Sequence, residues 1–408
     1  MASPQHYSLL ISLTLLILQT YAQSQSPPIT LPIHLDTKTS QYYTTIHMGS
    51  NRAPINAILD LGGPFPWFAC DNYVSNTYSP IPCGSARCEV AKGIGCVSCN
   101  LPPRPGCTND TCAASPYNPY LDMLFAEGFA EDTLSFAAAR VPAFIFSCMH
   151  AEDLGGLARG ATGMLGLARA ETSLHGQVAK SLGLRDKFSL CFPSSSGVTG
   201  KLLIGLGPGP TPGLDGILKS TALIVNPVST YPIYVTGDPS DEYFVDVQSI
   251  RVAGRQLSIK SSYFSIDKEG VGGTKISTVR NFTSLHNSIY RPFTRAFVKA
   301  ASDLGIKSVA GVGSFRACFS TRTVRAVPDI DLVLPGRDVY WRISGENSMV
   351  EVDGRTTCLA FVDGGPSPRT SVVIGARQLG DNYLEFDLVN SRLSFSSSLL
   401  AHNKSCSS

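Results

Sequence analysis

Apolar residues in this sequence recur in short alternating or continuous runs, and seldom at helical spacing. Short runs of this kind, separated by glycine and proline, predict a mainly β protein. Two segments, 174–182 and 289–304, instead have the spacing of short amphipathic helices. The predicted strands are residues 42–48, 134–136, 143–148, 201–204, 243–252, 329–334 and 393–396.

The same arrangement of motifs occurs twice along the chain. Each half contains a turn after an apolar segment and, later, a glycine flanked by apolar residues, as in GMLGLA from Gly163 and VVIGA from Val372. Such repetition predicts an internal duplication. A stretch rich in glycine and proline separates the two copies, so we predict an N-terminal lobe at 30–205, a connection at 206–239 and a C-terminal lobe at 240–408.

The first residues predict a secretory leader. An apolar core from Leu9 to Leu18 is too short to span a bilayer, and the small residue Ala22 offers a cleavage point. The leader departs from the usual pattern because it has no Lys or Arg before the apolar core. We expect residues 1–22 to be removed and the protein to be extracellular.

Twelve cysteines fit an oxidising compartment, where an even set can form six disulfides. Seven lie between Cys70 and Cys112, so at least one of these must pair with a distant cysteine. The pair Cys96 and Cys99 could begin a zinc site, but no second pair with matching spacing follows. We therefore expect disulfides throughout, with one bridge inside the C-terminal lobe and one between lobes. These two bridges are predicted to be Cys318 with Cys358 and Cys191 with Cys406. The other eight cysteines are predicted to form disulfides among themselves: Cys70, Cys83, Cys88, Cys96, Cys99, Cys107, Cys112 and Cys148.

Composition narrows the range of partners. The chain is 43% hydrophobic and only 16% charged, as expected of a packed globular protein. Its formal net charge of +2 provides no broad basic field for nucleic acid or an anionic membrane. We expect a monomer with no cofactor, no metal ion, no nucleic acid and no membrane partner. Three N-x-S/T sequons are candidate glycosylation sites: Asn109, Asn281 and Asn403.

Longer stretches are similar to one family over nearly the whole chain. They are WFAC with the cysteine-rich insert after it, GATGMLGLARAETSL, FSLCF, YFVDVQSIRVAGRQLSI, VGGTKIST, CLAFVDGG and SVVIGARQLGDNYLEFDLVNSRLSFSS. Together they resemble the plant pepsin-like aspartic proteases, which implies that the extracellular location is the apoplast or cell wall. LDLGG, PRPGC and GGTKIST most resemble the group of extracellular dermal glycoprotein, basic 7S globulin and glucanase or xylanase inhibitors. The resemblance implies a bilobal pepsin-like double β-barrel with a cleft between two pseudo-symmetric lobes and a few short helices.

Active members of that family hold a water between two carboxylates, one ionised as base and one protonated as acid. Asp60 occupies the first acid position. Aligned on GGTKIST, the second acid position falls on Ser277, which cannot ionise. We therefore predict no catalytic residues and regard Asp60 as a structural acid at a vestigial site. The turn positions that should carry hydroxyls or glycine hold other residues: Leu61, Gly63, Val279 and Arg280.

Two other groups are alternatives to the missing acid. Asp303 is followed by Leu-Gly but ends a helical pattern, so a helix terminus is the preferred interpretation. A serine mechanism using Ser277 with His286 or His402 lacks a G-x-S-x-G elbow and any recognisable triad. We therefore expect neither group to restore catalysis.

The flap that covers the cleft in active relatives would lie near residues 120–128. Tyr120 has the spacing of a flap tyrosine before Gly128. The glycines that let a hairpin tip close over substrate are missing, so we expect Tyr120 to be a packing residue.

Function then depends on surface loops of the C-terminal lobe. In the inhibitor group such loops enter the cleft of a glycoside hydrolase, whose two carboxylates accept charge-assisted hydrogen bonds. The resemblance places His402 at the inhibitory histidine of xylanase inhibitors and Arg322 at the inhibitory arginine of endoglucanase inhibitors. The sequon at Asn403 adjoins His402, and a glycan there would obstruct docking.

Three functions are compatible with these residues. The preferred hypothesis is a secreted, proteolytically inactive protein that binds and inhibits a cell-wall-degrading xylanase or endoglucanase. The second is a non-inhibitory wall, signalling or storage protein of the 7S globulin type. The third, an aspartic endopeptidase with residual activity, requires Asp60 to act without the partner acid that Ser277 replaces.

Overall fold

The computed structural model describes residues 27–209, 211–232 and 238–407. The predicted leader lies outside these residues. The first half contains helices α1 (Ala86–Val90) and α2 (Leu174–Leu182). Its strands are β1 (Ile29–Asp36), β2 (Gln41–Met48), β3 (Ala53–Asp60), β4 (Trp67–Ala69), β5 (Ser79–Pro80), β6 (Cys96–Val97), β7 (Thr111–Ala114), β8 (Tyr117–Asn118), β9 (Met123–Leu124), β10 (Glu127–Ser135), β11 (Arg140–Met149), β12 (Gly163–Gly166), β13 (Lys187–Cys191) and β14 (Gly200–Ile204).

The second half contains one long helix, α3 (Asn287–Asp303). Its strands are β15 (Lys219–Ile224), β16 (Phe244–Val245), β17 (Ser249–Val252), β18 (Arg255–Gln256), β19 (Thr274–Ile276), β20 (Thr283–Leu285), β21 (Ser308–Val309), β22 (Cys318–Ser320), β23 (Ile330–Val333), β24 (Tyr340–Ile343), β25 (Met349–Asp353), β26 (Thr356–Leu359), β27 (Phe361–Asp363), β28 (Val372–Ile374), β29 (Tyr383–Asp387) and β30 (Arg392–Phe395). Short 3-10 helices lie at Ala151–Asp153, Ser261–Tyr263, Thr321–Thr323, Gly345–Asn347, Ala376–Leu379 and Leu399–His402.

The N-terminal lobe is built on a closed barrel. Its strands follow the order β2, β3, β12, β4, β11 and β10, and β10 closes the ring by pairing with β2. Inside the order, β3 pairs with β12 in parallel, β12 with β4 antiparallel and β4 with β11 in parallel. Residues on the inner faces of these strands form the lobe's core.

The C-terminal lobe repeats this order of pairings. Strand β19 runs parallel to β28, β28 pairs antiparallel with β20, and β20 runs parallel to β27. The four strands therefore correspond one by one to β3, β12, β4 and β11. Two four-stranded sheets complete the lobe, in the orders β18-β17-β23-β24 and β21-β22-β26-β25. The internal duplication predicted from the sequence is confirmed by these matched pairings.

A six-stranded sheet joins the two lobes. Its order is β1, β14, β13, β29, β30 and β15, so each half supplies three neighbouring strands. The central pairing, β13 with β29, aligns Lys187 with Asp387 and Cys191 with Tyr383. Strand β15 lies within the predicted connection 206–239, so part of that connection belongs to the shared sheet.

A buried ion pair lies in the shared sheet. The ammonium of Lys187 is 2.9 Å from a carboxylate oxygen of Glu385, and both side chains are almost fully buried. Lys187 also donates to the carbonyls of Gly207 and Gly209, and Glu385 accepts a bond from Thr211. These additional bonds satisfy the buried charges, as an ion pair inside a protein requires.

Most of the predicted elements are present, with different ends. Helix α2 has the predicted bounds because the Ser173 hydroxyl accepts the Gly176 N–H at its start and Gly183, at φ 62°, ends it. Helix α3 (Asn287–Asp303) begins two residues earlier and ends one residue earlier than the predicted 289–304, so Asp303 is a helix terminus, as predicted, and Gly305 follows at φ 77°. The single strand predicted at 243–252 is wrong, because β16 and β17 join two different sheets.

Six disulfides pair all twelve cysteines. Cys96 and Cys99 belong to two different disulfides, so the zinc alternative for this pair is wrong. Among the described residues, no helix is both long and apolar enough to cross a membrane. The pairs are Cys70–Cys148, Cys83–Cys96, Cys88–Cys112, Cys99–Cys107, Cys191–Cys406 and Cys318–Cys358; the last two are the predicted ones.

Candidate functional site

Two turns face each other at the junction of the lobes. Strand β3 ends on Asp60, which lies beside Gly166 of β12 in the parallel register. Strand β19 ends at Ile276 beside Ile374, and the next residue, Ser277, donates its N–H to the Ile374 carbonyl at 2.9 Å. The pseudo-symmetry of the lobes therefore places Ser277 at the position that Asp60 occupies in the first lobe.

Glycine is required beside each turn. A Cβ atom added to Gly166 would lie 2.4 Å from the Gly63 carbonyl oxygen, and one added to Gly375 would lie 2.4 Å from the Phe282 carbonyl carbon. Contacts this short with backbone cannot be relieved by rotating a side chain. The apolar-glycine-apolar motif found twice in the sequence is thus explained by the close approach of each turn to its neighbouring strand.

One buried hydroxyl ties the two turns together. The Thr278 hydroxyl accepts the Leu61 N–H at 3.0 Å and donates to the Leu59 carbonyl at 2.7 Å. By the same symmetry, Leu61 corresponds to Thr278, but its side chain has no hydroxyl and lies in the hydrophobic core. The link between turns is therefore made from one side only.

Asp60 is a buried acid with few donors. Its Oδ1 accepts the Gly62 N–H at 2.8 Å, and the side chain is only 8% exposed. Burial raises the pKa of Asp60 to about 6; the Gly62 N–H and the Lys275 charge oppose the rise, whereas the Glu242 charge adds to it. The carboxyl group is therefore easier to protonate than an ordinary aspartate.

A second carboxylate, missed in the sequence, approaches the Asp60 turn. A Cβ on Gly62 would lie 3.0 Å from Glu242 Oε1 and 3.4 Å from Asp60 Oδ1. Lys275 holds Glu242 with two bonds of 2.8 and 2.9 Å, and Thr230 donates to the same carboxylate. With its oxygens bound this way, Glu242 is a salt-bridged neighbour and not a proton-sharing partner of Asp60.

Ser277 makes no catalytic contact. Its hydroxyl accepts the Arg280 N–H at 3.3 Å, and the side chain is 7% exposed. His286 instead caps helix α3 by accepting the Ser288 N–H, and His402 lies on the exposed C-terminal 3-10 helix. In the described part of the chain, no histidine bonds to Ser277, so the serine alternative is not supported.

A hairpin lies at the start of the range predicted for the flap. Strands β8 and β9 pair across residues 119–122, whereas Gly128 belongs to β10. The hairpin therefore contains Tyr120 but not Gly128, and we refer to it as the flap. Tyr120 packs against the N-terminal core, as predicted, and its hydroxyl is buried without a hydrogen-bond partner among the described residues.

The flap is held from outside by the connection between lobes. The ring of Tyr117 meets the ring of Tyr231 edge to face at 5.9 Å, and the Tyr231 hydroxyl donates to the Ser115 carbonyl at 3.4 Å. From below, Val279 of the second turn packs against the same core cluster as Tyr120. Tyr117 is therefore linked to the connection between lobes, and Tyr120 packs in the same cluster as a residue of the second turn.

A cavity of about 150 Å³ remains beside the Asp60 turn. Phe65 and Phe129 provide apolar walls, and Glu242 with Asp241 lies at its polar side. Burial raises the pKa of Asp241, and the positive charges of Lys92 and Arg169 oppose this rise. The cavity is small for a peptide side chain with its backbone.

The two predicted partner-binding side chains lie apart on different elements. Arg322 is the middle residue of the 3-10 helix Thr321–Thr323, which follows β22 and its disulfide cysteine Cys318. His402 ends the 3-10 helix Leu399–His402. Both side chains are exposed, and neither forms a hydrogen bond or ion pair within the described residues.

The three sequons differ in exposure. Asn109 and Asn403 are exposed. Asn281 is half-buried, and its amide nitrogen donates to the Thr39 carbonyl at 3.0 Å. A glycan on Asn281 would displace this bond, so the two exposed asparagines are the better candidates.

Sequence reasoning missed Thr278, Glu242 and Tyr231. Thr278 follows the Ser277 position directly and could have been recognised as a hydroxyl at the position that Leu61 occupies in the first turn. Glu242 and Tyr231 gave no comparable signal, because their contacts lie in other parts of the chain.

The fold and the turns define a bilobal pepsin-like protein with Asp60 in one turn and Ser277 at the equivalent position of the other. Comparison with known proteins agrees: the xylanase inhibitor N-terminal model matches residues 42–206, and the xylanase inhibitor C-terminal model matches residues 242–397. The chain belongs to this xylanase-inhibitor family, which confirms the resemblance drawn from its motifs.

Relatives match along the full length. The probable aspartic proteinase GIP2 of Nicotiana benthamiana is 43% identical over 98% of this chain and 96% of its own. Gamma conglutin 1 of Prunus dulcis is 34% identical over 100% of this chain and 97% of its own. The crystal structure of edgp has a TM-score of 0.88 at 39% identity, covering 94% of this chain and 98% of that chain. Basic 7S globulin from soybean has a TM-score of 0.80 at 31% identity, covering 93% and 98%.

Proposed function

We propose that this protein is a secreted, proteolytically inactive member of the family that binds and inhibits a cell-wall-degrading glycoside hydrolase, either a xylanase or an endoglucanase. The observation that carries the proposal is Ser277 at the second acid position. General acid-base assistance is worth about 10²–10⁴-fold, and a single carboxyl cannot act as acid and base at once. A fold kept without this chemistry is expected to act by binding.

The xylanase-inhibitor family supports a glycosidase as the partner. Glycosidase clefts contain two carboxylates, which accept charge-assisted hydrogen bonds from a guanidinium or a charged imidazole. Arg322 and His402 offer these groups on exposed, short helical turns. The Thr321 N–H bonds to the Arg355 carbonyl at 2.9 Å, so the Arg322 turn is fixed to the sheet behind it.

The test is a panel of purified xylanases and endoglucanases, assayed for inhibition and for binding by isothermal titration. Arg322→Ala or His402→Ala should weaken binding to the inhibited enzyme by about 2–4 kcal/mol, the scale of an interface hot spot. Arg325→Ala and Lys404→Ala remove exposed cations nearby and should change little. Unchanged affinity in both Arg322→Ala and His402→Ala removes these residues from the interface.

The sequon beside His402 provides a further arm of this test. A glycan on Asn403 would cover the imidazole, so Asn403→Gln should strengthen inhibition if His402 docks and the sequon is occupied. Mass spectrometry of the secreted protein establishes the occupancy. An occupied sequon with no effect of Asn403→Gln argues against docking through His402.

A wall, signalling or storage role without inhibition is the second candidate. It is favoured by the 31–34% identity to proteins named gamma conglutin and basic 7S globulin. Absence of binding to every glycosidase in the panel would make this the better account. The third candidate, an endopeptidase with residual activity, is disfavoured by Ser277 and is tested by the assay described in the Discussion.

A further inference from the structure

A second cavity lies in the N-terminal lobe, beneath the cysteine-rich insert. Its volume is about 190 Å³, and none of its lining residues lines the cavity beside Asp60. Strands β6, β7 and β10 and the loop before β7 surround it. The side chains that line it are mostly polar: Tyr78, Ser98, Thr108, Thr111, Glu127 and His150.

Glu127 is the unexplained group in this cavity. It begins β10 and is half-buried, yet its carboxyl group has no hydrogen bond or ion pair within the described chain. Burial raises the pKa of Glu127 to about 7, although the nearby His150 opposes the rise. On the same strand, Glu131 is 2.8 Å from the guanidinium of Arg87. A half-buried carboxyl without a protein donor is only partly solvated, so a ligand with donors would stabilise it.

The other walls offer both donors and acceptors. The Tyr78 hydroxyl accepts the Gly106 N–H at 3.2 Å and retains its own hydrogen. His150 turns Nδ1 towards Asp71 at 3.4 Å, and its Nε2 has no bond within the described residues. The hydroxyls of Thr108 and Thr111 are 2.7 Å apart and keep free lone pairs.

This cavity is stapled by the disulfide Cys99–Cys107, one cysteine of which lines it. Within the described residues, the possible metal group is Cys83, Cys96 and Asp110, and its cysteines are paired in a disulfide. Glu127 and His150 belong to no such group. The cavity offers hydrogen-bond donors and acceptors around one carboxyl group. A ring with several hydroxyls fits such a lining, since each hydroxyl both donates and accepts.

One source of such a ring lies at the rim. The exposed sequon residue Asn109 follows Thr108 and precedes Thr111, and both threonines line the cavity. We propose that this cavity binds a single sugar ring through Glu127, supplied either by an N-linked glycan on Asn109 or by a free saccharide. The site is independent of the glycosidase interface proposed above.

The experiment uses N-acetylglucosamine, the sugar that N-linked chains attach to asparagine, with the intact secreted protein. Saturation-transfer difference NMR is recorded during a titration of Asn109→Gln protein. We expect saturable binding, weakened at least tenfold when Glu127→Gln is added. Glu131→Gln, on the same strand but outside the cavity, is the matched control and should leave binding unchanged.

A second variant guards against misfolding. Thr108→Val removes one hydroxyl of the rim while conserving shape, and it should weaken binding with no shift of the thermal transition. If Asn109→Gln protein shows no saturable binding, or if Glu127→Gln binds as well as its parent, the proposal is overturned.

The two sources are distinguished by comparison with the wild type. If its own glycan fills the cavity, wild-type protein bearing that glycan should not bind added N-acetylglucosamine, and Asn109→Gln should gain binding. Equal binding by both proteins identifies a free saccharide as the ligand. Either result upholds the sugar site.

Discussion

The two turns at the lobe junction share their strands and differ in their chemistry. Both follow a strand in parallel pairing, and both press against a glycine that no larger residue can replace. Only the first ends on a carboxyl group, Asp60, and only the second carries the hydroxyl, on Thr278, that links them. The comparison separates what the fold needs from what catalysis needs: backbone contacts are kept on both sides, and the acid pair is not.

The largest expected effect concerns the feature that both turns share, a glycine pressed against the turn. Gly166→Ala and Gly375→Ala each place a Cβ within 2.4 Å of backbone, so each should cost more than about 3 kcal/mol and prevent accumulation of folded protein. Gly354→Ala is the control, because nothing lies within 4 Å of its added Cβ. Secretion yield and thermal unfolding measure the effect. A normal yield from only one of the two variants would show that the turns are less alike than their pairings indicate.

The next effect concerns the acid present on one side only. Burial raises the pKa of Asp60 from 3.8 to about 6, so its contribution to stability is complete below pH 3.8 and is lost as pH rises through 6. Asp60→Asn lacks this loss, so its unfolding free energy relative to the wild type should rise by about 2 kcal/mol between pH 4 and pH 7.

Urea unfolding with disulfides intact, at several pH values, measures this difference. Ser277→Ala, which changes the equivalent position without altering charge, should follow the wild-type pH dependence. If the curves for Asp60→Asn and the wild type stay parallel, Asp60 does not titrate as a buried acid.

A smaller effect is expected from the Thr278 hydroxyl, which links the two turns. Thr278→Val leaves the Leu61 N–H and the Leu59 carbonyl without this partner, at a cost of about 2 kcal/mol. The matched control is Thr274→Val: Thr274 is also buried, but its hydroxyl has no hydrogen-bond partner among the described residues. That variant should be neutral or slightly stabilising in the same urea measurements. Equal destabilisation by both variants would mean that the link between turns is not what stabilises them.

The smallest expected effect is the attempt to restore the missing acid. Ser277→Asp should give no detectable hydrolysis of unfolded haemoglobin or casein between about pH 3 and pH 6, because Leu61 supplies no hydroxyl and Tyr231 still holds the flap. Wild-type protein should be equally silent. Cleavage blocked by a transition-state analogue of aspartic proteases, and lost in Asp60→Ala, would show that one substitution separates this site from catalysis.

The elements that sequence predicted well are those set by local periodicity. Helix α2 and strand β2 follow from spacing and capping within a few residues. The interruption between β16 and β17 was missed because the chain changes sheets there, which depends on distant partners. Pairing at Gly128 was missed for a similar reason: this glycine matched a motif by spacing, but its pairing with Ala113 depends on a distant strand.

Site prediction had the same limit. Asp60 and Ser277 were located because each follows an apolar strand in a recognisable motif. The bond that the Leu61 N–H donates to the Thr278 hydroxyl joins residues 217 positions apart, and no local pattern encodes it. The same holds for Tyr231, whose ring contact with Tyr117 forms only when the connection between lobes is folded.

The sheet shared by the lobes constrains how the chain can fold during synthesis. Strand β13 can pair with β29 only after about 200 further residues have been synthesised, which takes roughly 10–40 s at ordinary translation rates. Until then one edge of β13 has no partner strand. Cys191 is an unpaired thiol, because its partner Cys406 lies 215 positions later. The first lobe therefore emerges with one unpaired strand edge and one unpaired thiol, and both find their partners only when the end of the chain has been made.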